Sequence, residues 1–244
     1  MAETPRFELG ESVESVDTLV VGVSAYGLAG LTAVDYLTDQ RPMEQVGYLT
    51  GGGPPPITPF RDGVPRHHTR LYVDDERSFG VVVGERMVTV DAAAGVADAI
   101  EALCHTAETE TVAVLSGVPM AHGPDDHVPF YIATEGYRAS FLDGTDIRPM
   151  GNGFLDGLPA ELLDRGIERD PLDVGVFTTP VHAQAPDAPA ALRLLDALAA
   201  AHDLDTDTGP LEAFAANVEA HYQALAERLD AAEEDVMPDD RMYM

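Results

Sequence analysis

The feature that most restricts the fold of this chain is a repeated alternation of short apolar segments with longer segments of helical spacing. Residues 17–23 read Asp-Thr-Leu-Val-Val-Gly-Val, which is typical of a buried strand. A turn of small residues follows, and Leu31, Val34 and Leu37 then recur at the spacing of one helix face. Strands without a polar face are typical of parallel sheets that helices cover on both sides.

The same alternation continues along the chain and predicts an α/β fold with a mostly parallel sheet. Ala139–Leu142 fits either a short strand or the start of a helix. The other predicted strands cover residues 45–50, 69–73, 79–83, 111–115, 130–134 and 174–178. The other predicted helices run from a cap at Asp91 to about residue 107, from 159 to 165 with Gly166 at the end, and from 188 to 201.

The composition divides the chain into a core domain, a helix and a tail. Residues 1–207 form the predicted α/β core, 208–236 a helix, and 237–244 a flexible tail. Apolar residues of the helix, from Leu211 to Ala232, alternate spacings of three and four. This narrow stripe fits packing on the core and packing on a partner helix equally well.

The charge of the chain is strongly negative. Aspartate and glutamate number 43 against 14 cations, all of them arginine, for a net charge of −29. Such a surface repels nucleic acid and anionic lipid, so neither is an expected partner. The acids are spread along the whole chain, which favours adaptation to molar salt over an acidic interaction tail.

Several features indicate a cytoplasmic protein. No run of 18 apolar residues predicts a membrane span, and the first residues do not resemble a signal peptide. The single cysteine, Cys104, excludes an internal disulfide and fits a reducing compartment.

The turn after the first strand is the position at which many α/β proteins bind phosphate. Its glycines, Gly22, Gly27 and Gly30, match neither the dinucleotide-binding spacing nor the Walker pattern. Close packing of the helix on the strand is therefore the favoured interpretation. A ligand loop formed by Gly22, Ser24, Gly27 and Gly30 is the alternative.

Other candidates for chemistry are weak, and the sequence predicts no catalytic residue, metal or cofactor. His122-Gly123-Pro124-Asp125-Asp126-His127 could ligate a metal but also resembles an ordinary exposed loop. His67 and His68 are adjacent, so on a strand they would point to opposite faces. No G-x-S-x-G elbow occurs, Cys104 falls inside a helix, and nothing pairs Glu85 or Glu135.

The last three residues, Met242-Tyr243-Met244, form a distinct candidate binding element. The terminal carboxylate can pair with a basic residue, the tyrosine offers a ring and a hydroxyl, and Met242 can fill an apolar cleft. The tripeptide follows the helix-terminating Pro238 and a polar segment.

This tip resembles the hydrophobic-tyrosine-X motif of proteasome activators and chaperones, which inserts between α-subunits of the 20S particle. The body resembles the proteasome assembly chaperone family, in the branch of the second assembly chaperone and its archaeal homologues. The stretches that carry this resemblance, in order, are 19–23 with 36–37, 46–49, 112–119, 151–158 with 166–167, and 186–195.

The resemblance implies a three-layer α/β/α sandwich similar to nucleoside phosphorylases, without a known active site. It also implies binding to the 20S proteasome α-subunits and self-association into a homo-oligomer. Two alternatives stay open. One is an enzyme on a phosphorylase-like scaffold that uses the glycine turn and the histidine loop. The other is a structural homo-oligomer without proteasome contact.

The net charge predicts that salt stabilises the fold. Raising KCl from 0.1 M to 1 M shortens the Debye length from about 10 Å to about 3 Å and screens the repulsion among the acids. We expect the midpoint of thermal unfolding to rise by about 10 °C or more, which corresponds to about 3 kcal/mol. Circular dichroism at 222 nm measures the midpoint, and a constant value over this salt range would contradict the prediction.

Overall fold

The structure is a computed structural model that describes residues 4–10, 13, 15–51, 57–74, 76, 78–120, 123, 126–168, 172–182 and 186–216. Its strands are β1 (Arg6–Leu9), β2 (Thr18–Ser24), β3 (Met43–Thr50), β4 (Phe60–Arg61), β5 (Val64–Pro65), β6 (Thr69–Asp74), β7 (Phe79–Met87), β8 (Thr111–Val118), β9 (Phe130–Ala133), β10 (Arg148–Pro149) and β11 (Asp173–Pro180). Its helices are α1 (Ala29–Gln40), α2 (Val90–Thr106), α3 (Glu135–Tyr137), α4 (Gly157–Glu168) and α5 (Ala188–His202).

Nine strands form one mixed sheet in the order β1-β3-β6-β7-β2-β8-β11-β9-β10. The central strands β7, β2, β8 and β11 run parallel to one another. Strands β1, β3 and β6 add antiparallel pairs at one side, and β9 pairs antiparallel with β11 at the other. The predicted α/β fold is confirmed, and the predicted parallel pairing is confined to the centre of the sheet and to the short β9–β10 pair.

Helices cover both faces of the sheet because the side chains of each central strand alternate between two cores. Val20 and Leu115 point into the core under α1 and α5. Val21 and Val114 point into the core under α2 and α4. The result is a three-layer α/β/α arrangement, as the sequence predicted.

Several elements differ from the prediction. Helix α2 begins at Val90 after Thr89, so Asp91 lies in its first turn and is not the cap. Helix α4 continues through Gly166 to Glu168, and Arg138–Leu142 forms a π-helical turn. Strands β1, β4, β5 and β10 were not predicted, because segments of two to four residues are too short to show a period.

An aromatic cluster closes the core at the end of α5. Tyr137 is fully buried, and its hydroxyl lies 2.7 Å from Nε2 of His202. A Cβ on Gly175 would lie 2.3 Å from the Tyr137 ring, so the glycine makes room for it. The His202 ring also packs against Phe79 and Phe141. Burial lowers the pKa of His202 to about 4.

This cluster predicts a loss of stability in mild acid. The folded-state pKa of His202 lies below the ordinary value of 6.5, so a proton binds preferentially to the unfolded chain. Stability is therefore lost as the pH falls from about 6.5 to about 4.

We expect the wild-type chain to lose about 2–3 kcal/mol more than His202→Gln between pH 7 and pH 4.5. Glutamine cannot titrate but can still hydrogen-bond to Tyr137. Urea unfolding at constant salt measures this difference. Comparison of the two chains also removes the effect of carboxylate titration, which is common to both. Equal pH dependence in the two chains would refute the assignment to His202.

Candidate functional site

The carboxyl ends of the central strands meet at one edge of the sheet, where α/β proteins usually bind ligands. The chain leaves β2 through α1 toward β3 on one side, whereas β8 is followed by strands on the other side. The connections thus diverge between β2 and β8, which makes this pair the topological switch point. The glycine turn lies here.

Close packing fills the inside of the glycine turn. A Cβ on Gly22 would lie 2.4 Å from the carbonyl oxygen of Gly30, and one on Gly30 would lie 2.0 Å from that of Leu115. Gly27 has φ +65°, and a Cβ there would lie 2.8 Å from Cβ of Val181. These glycines therefore let α1 and its turn approach β2, β8 and the loop after β11 directly.

Ser24 lies at the end of β2, where a register shift pairs it with Met87 of β7. The next aromatic residue, Tyr26, is 58% exposed on the outer side of the turn. The structure brings Gly22 and Gly30 together, and protein atoms occupy the space around the three glycines. A ligand role for Gly22, Ser24, Gly27 and Gly30 stays a prediction.

A buried carboxylate organises the loop after β11. Asp187 accepts hydrogen bonds from the His182 amide at 3.0 Å, from its Nδ1 at 2.9 Å and from the Ala190 amide at 2.9 Å. Burial alone would raise the pKa of Asp187, but these hydrogen bonds outweigh it and lower the pKa. The ionised carboxylate caps α5 and orients His182, whose ring centroid lies 6.0 Å from that of His127.

Arg193 connects this loop to the loop after β8. Its Nε donates to Oγ1 of Thr179 at 2.9 Å, and its guanidinium donates to the Pro180 carbonyl at 3.1 Å. The Thr179 hydroxyl donates to the Val128 carbonyl at 3.2 Å. Burial lowers the pKa of Arg193, and the negative charge of Asp187 offsets only part of this effect. The network connects the loops after β8 and β11 at the carboxyl edge.

Asp187 and Arg193 are functional-site residues without a role predicted from the sequence. A signal for Asp187 exists, since Asp187-Ala188-Pro189 combines a preferred capping residue with a proline in the first helical turn. No local pattern marks Arg193, because its partners are 13 and 14 residues away in the chain.

The histidine candidates that the structure describes do not converge on a metal site. Of the loop 122–127 the structure describes Gly123, Asp126 and His127, and the Asp126 carboxylate accepts from the Gly123 amide. His67 stacks on Tyr48 with centroids 3.6 Å apart. Within the described ranges, no three His, Cys, Asp or Glu side chains are grouped to hold a metal ion.

Glu85 and Cys104, two further candidates from the sequence, lie in an ion-pair network and in the core. Glu85 accepts hydrogen bonds from the guanidinium groups of Arg66 and Arg70, and Arg70 is fully buried. Cys104 lies in the core of α2, where burial raises its thiol pKa to about 12. The part of the chain that the structure describes contains no helix long and apolar enough to span a membrane.

The predicted docking tripeptide, Met242, Tyr243 and Met244, lies outside the described residues. The last described segment of the chain lies against the body. Residues 209–216 are helical, with Leu211 buried beside α1 and α5. The Tyr36 hydroxyl donates to the Asp207 carbonyl at 2.6 Å and anchors the preceding segment to α1.

The described core defines an α/β/α protein with a parallel centre and antiparallel flanks. This chain belongs to the PAC2 family, which matches residues 19–226. No protein of curated function matches the sequence.

Solved structures share the fold at low sequence identity. PbaA of Pyrococcus furiosus, described as an archaeal homolog of proteasome-assembly chaperone, superposes with a TM-score of 0.80 and 19% identity, over 94% of this chain and 95% of that chain. PbaB of Pyrococcus furiosus, described as an archaeal proteasome activator, gives a TM-score of 0.75 and 19% identity over 91% and 99%. A protein of unknown function from Thermoplasma acidophilum gives 0.75 and 20% over 92% and 91%.

The packing of the glycine turn predicts that a single methyl group at Gly30 disrupts the core. Gly30→Ala should destabilise the fold by about 2–3 kcal/mol, because its Cβ would overlap the Leu115 carbonyl. Gly151→Ala is the matched control, since a Cβ at Gly151 meets no atom within 4 Å. Guanidinium unfolding compares the two variants with the wild type. Equal stability of Gly30→Ala and Gly151→Ala would contradict the packing role.

Proposed function

We propose that this protein is a non-enzymatic proteasome-binding protein, an assembly chaperone or activator that docks on the 20S α-ring in the cytoplasm. Docking occurs through Met242, Tyr243 and Met244, which insert between neighbouring α-subunits. The protein acts as a homo-oligomer and needs no cofactor.

Membership of the PAC2 family is the observation that carries this proposal. It is supported by the likeness in fold to PbaA and PbaB, whose descriptions name proteasome assembly and proteasome activation. The described residues offer no observation in favour of the enzymatic alternative, because Cys104 is buried and the glycine turn is filled by packing.

The position of the last described helix suits a docking tail. Leu211 and the Tyr36–Asp207 hydrogen bond hold the start of this segment on the face of α1 and α5. Residues 217–244 add 28 further residues. With the predicted helix to residue 236 and an extended tail of 8 residues, they can span up to about 55 Å. A terminal tripeptide can therefore reach a pocket on a partner while the body stays outside it.

The charge of the chain makes short-range contacts necessary for this docking. A body with net charge −29 gains nothing from long-range attraction to an acidic partner, and molar salt screens the repulsion. Burial of Met242 and Tyr243 and pairing of the terminal carboxylate must supply the affinity. One tripeptide binds weakly, so several tails in one oligomer would bind a ring of pockets more tightly through avidity.

The proposal predicts that shortening the chain by three residues abolishes proteasome binding. A chain that ends at Arg241 should bind 20S particles at least about 30-fold more weakly than the full chain. It lacks the Tyr243 ring and the Met242 side chain, and its terminal carboxylate lies three residues earlier in the chain. Biolayer interferometry in 1–2 M KCl measures the dissociation constant. Circular dichroism verifies that the fold is unchanged.

Two point variants test the motif without changing the chain length. Tyr243→Ala should weaken binding as truncation does, whereas Met244→Leu should keep it because the motif accepts any residue at that position. Equal binding by the full and the shortened chain would refute docking through the tail.

A further inference from the structure

The two edges of the central sheet differ sharply in charge. The amino ends of β2, β7 and β8 open onto a groove together with the segment that follows α5. Six carboxylates line this groove, namely Asp17, Glu76, Glu108, Glu110, Asp203 and Asp205. The amino edge therefore carries a concentrated share of the negative charge.

The carboxyl edge includes the charged residues Asp187 and Arg193, but five of its segments carry no charge. The segments that meet there, residues 24–28, 87–90, 117–120, 150–155 and 178–182, contain no aspartate, glutamate or arginine. In a chain with 57 such residues among 244, five uncharged segments at one edge form a distinct surface. The parallel direction of β2, β7, β8 and β11 brings four of these segments together.

The fifth segment joins the same edge through α4. Gly166, late in α4, packs against Val174 at the start of β11. Helix α4 therefore begins near the end of β11, and residues 150–155 directly precede it.

Large apolar side chains are exposed on these segments. We define the carboxyl-edge surface by five of them: Tyr26, Met87, Val90, Met120 and Phe154. Phe154 is fully exposed, and the others are between 43% and 66% exposed. Exposed apolar side chains that gather at one surface are typical of protein interaction sites.

Two acids behind this surface are already paired. Glu85 binds Arg66 and Arg70, and Asp187 binds His182 and the Ala190 amide. The charge of these two carboxylates is therefore offset locally. Asp91 and Asp156, which flank Val90 and Phe154 in the chain, are exposed at the rim, where solvent and salt can screen them.

We infer that the carboxyl-edge surface is the face on which a second copy of this chain binds. This inference rests on the homo-oligomer of the proposed function and assigns its interface. Two copies of a protein with net charge −29 repel each other in most orientations. Contact between two carboxyl edges buries the apolar side chains and keeps the acidic amino edges far apart. A self-complementary patch of this kind is what a twofold interface requires.

The test places a charge in the interface and a matched charge outside it. Met120→Glu introduces a carboxylate into the carboxyl-edge surface, and Val90→Glu does so from a second segment. Ile167→Glu is the control, because Ile167 is 77% exposed near the opposite end of α4. Sedimentation velocity in 2 M KCl measures the mass of each variant against that of the 26.0 kDa chain.

We expect the wild type and Ile167→Glu to sediment as the same oligomer. Met120→Glu and Val90→Glu should weaken self-association by about 30-fold or more and shift the protein toward the monomer. Unchanged circular dichroism would show that the variants fold. A monomeric wild type, unchanged association of both edge variants, or equal dissociation of the control would overturn the inference.

Binding to 20S particles separates this inference from the proposed function. Monomeric edge variants retain the tail and should bind with reduced avidity, whereas loss of tail docking leaves the oligomer intact. Edge variants that stay oligomeric and yet lose 20S binding would assign this surface to the proteasome and exclude the second copy.

Discussion

The direct approach of α1 to the centre of the sheet is the contact on which the rest of the fold depends. At Gly22 and Gly30 the helix and strands β2 and β8 meet almost backbone to backbone. This approach lets Val34 and Leu37 fill the core above the central strands, and α5 then packs beside α1. The turn that precedes α1 also touches Val181 through Gly27, so the same contact positions the loop after β11. The packing of α1 and its turn therefore determines both the central core and the position of the loop after β11 at the carboxyl edge.

Two of the 14 arginines, Arg70 and Arg165, form buried ion pairs that connect elements of the fold. Arg70 is fully buried and holds Glu85 between β6 and β7, while Arg165 bonds the Asp98 carboxylate of α2 and the Glu161 carboxylate of α4. Arginine suits these sites because its planar group can bind several oxygens at once. With 43 acids and 14 arginines, pairing of one carboxylate with each arginine would leave 29 acidic residues without an arginine. Salt must therefore screen the surface charge, whereas the ion pairs of Arg70 and Arg165 are buried enough to be little affected by salt.

The sequence predicted the elements whose pattern is long enough to be periodic. Strand β2 and helix α5 were predicted to within one residue at each end, because a strand buried on both faces and a helix buried on one face each show a clear apolar pattern. The antiparallel edge strand β1 and the short ribbon β4–β5 were missed, since their pairing depends on distant segments. The same limit applies to the carboxyl edge. Its glycines were visible in the sequence, but the bond from Arg193 to Thr179 arises only from the tertiary fold.

The geometry of the described chain makes self-association and tail docking compatible. Helix α5 ends at the amino edge, where His202 packs on Phe79 at the start of β7. The segment toward the tail is anchored near there, on α1, through Tyr36 and Asp207. Copies joined at their carboxyl edges would therefore keep the Tyr36–Asp207 anchors away from the interface. A twofold oligomer built in this way carries two tails, and two tails can gain avidity for identical pockets on one ring.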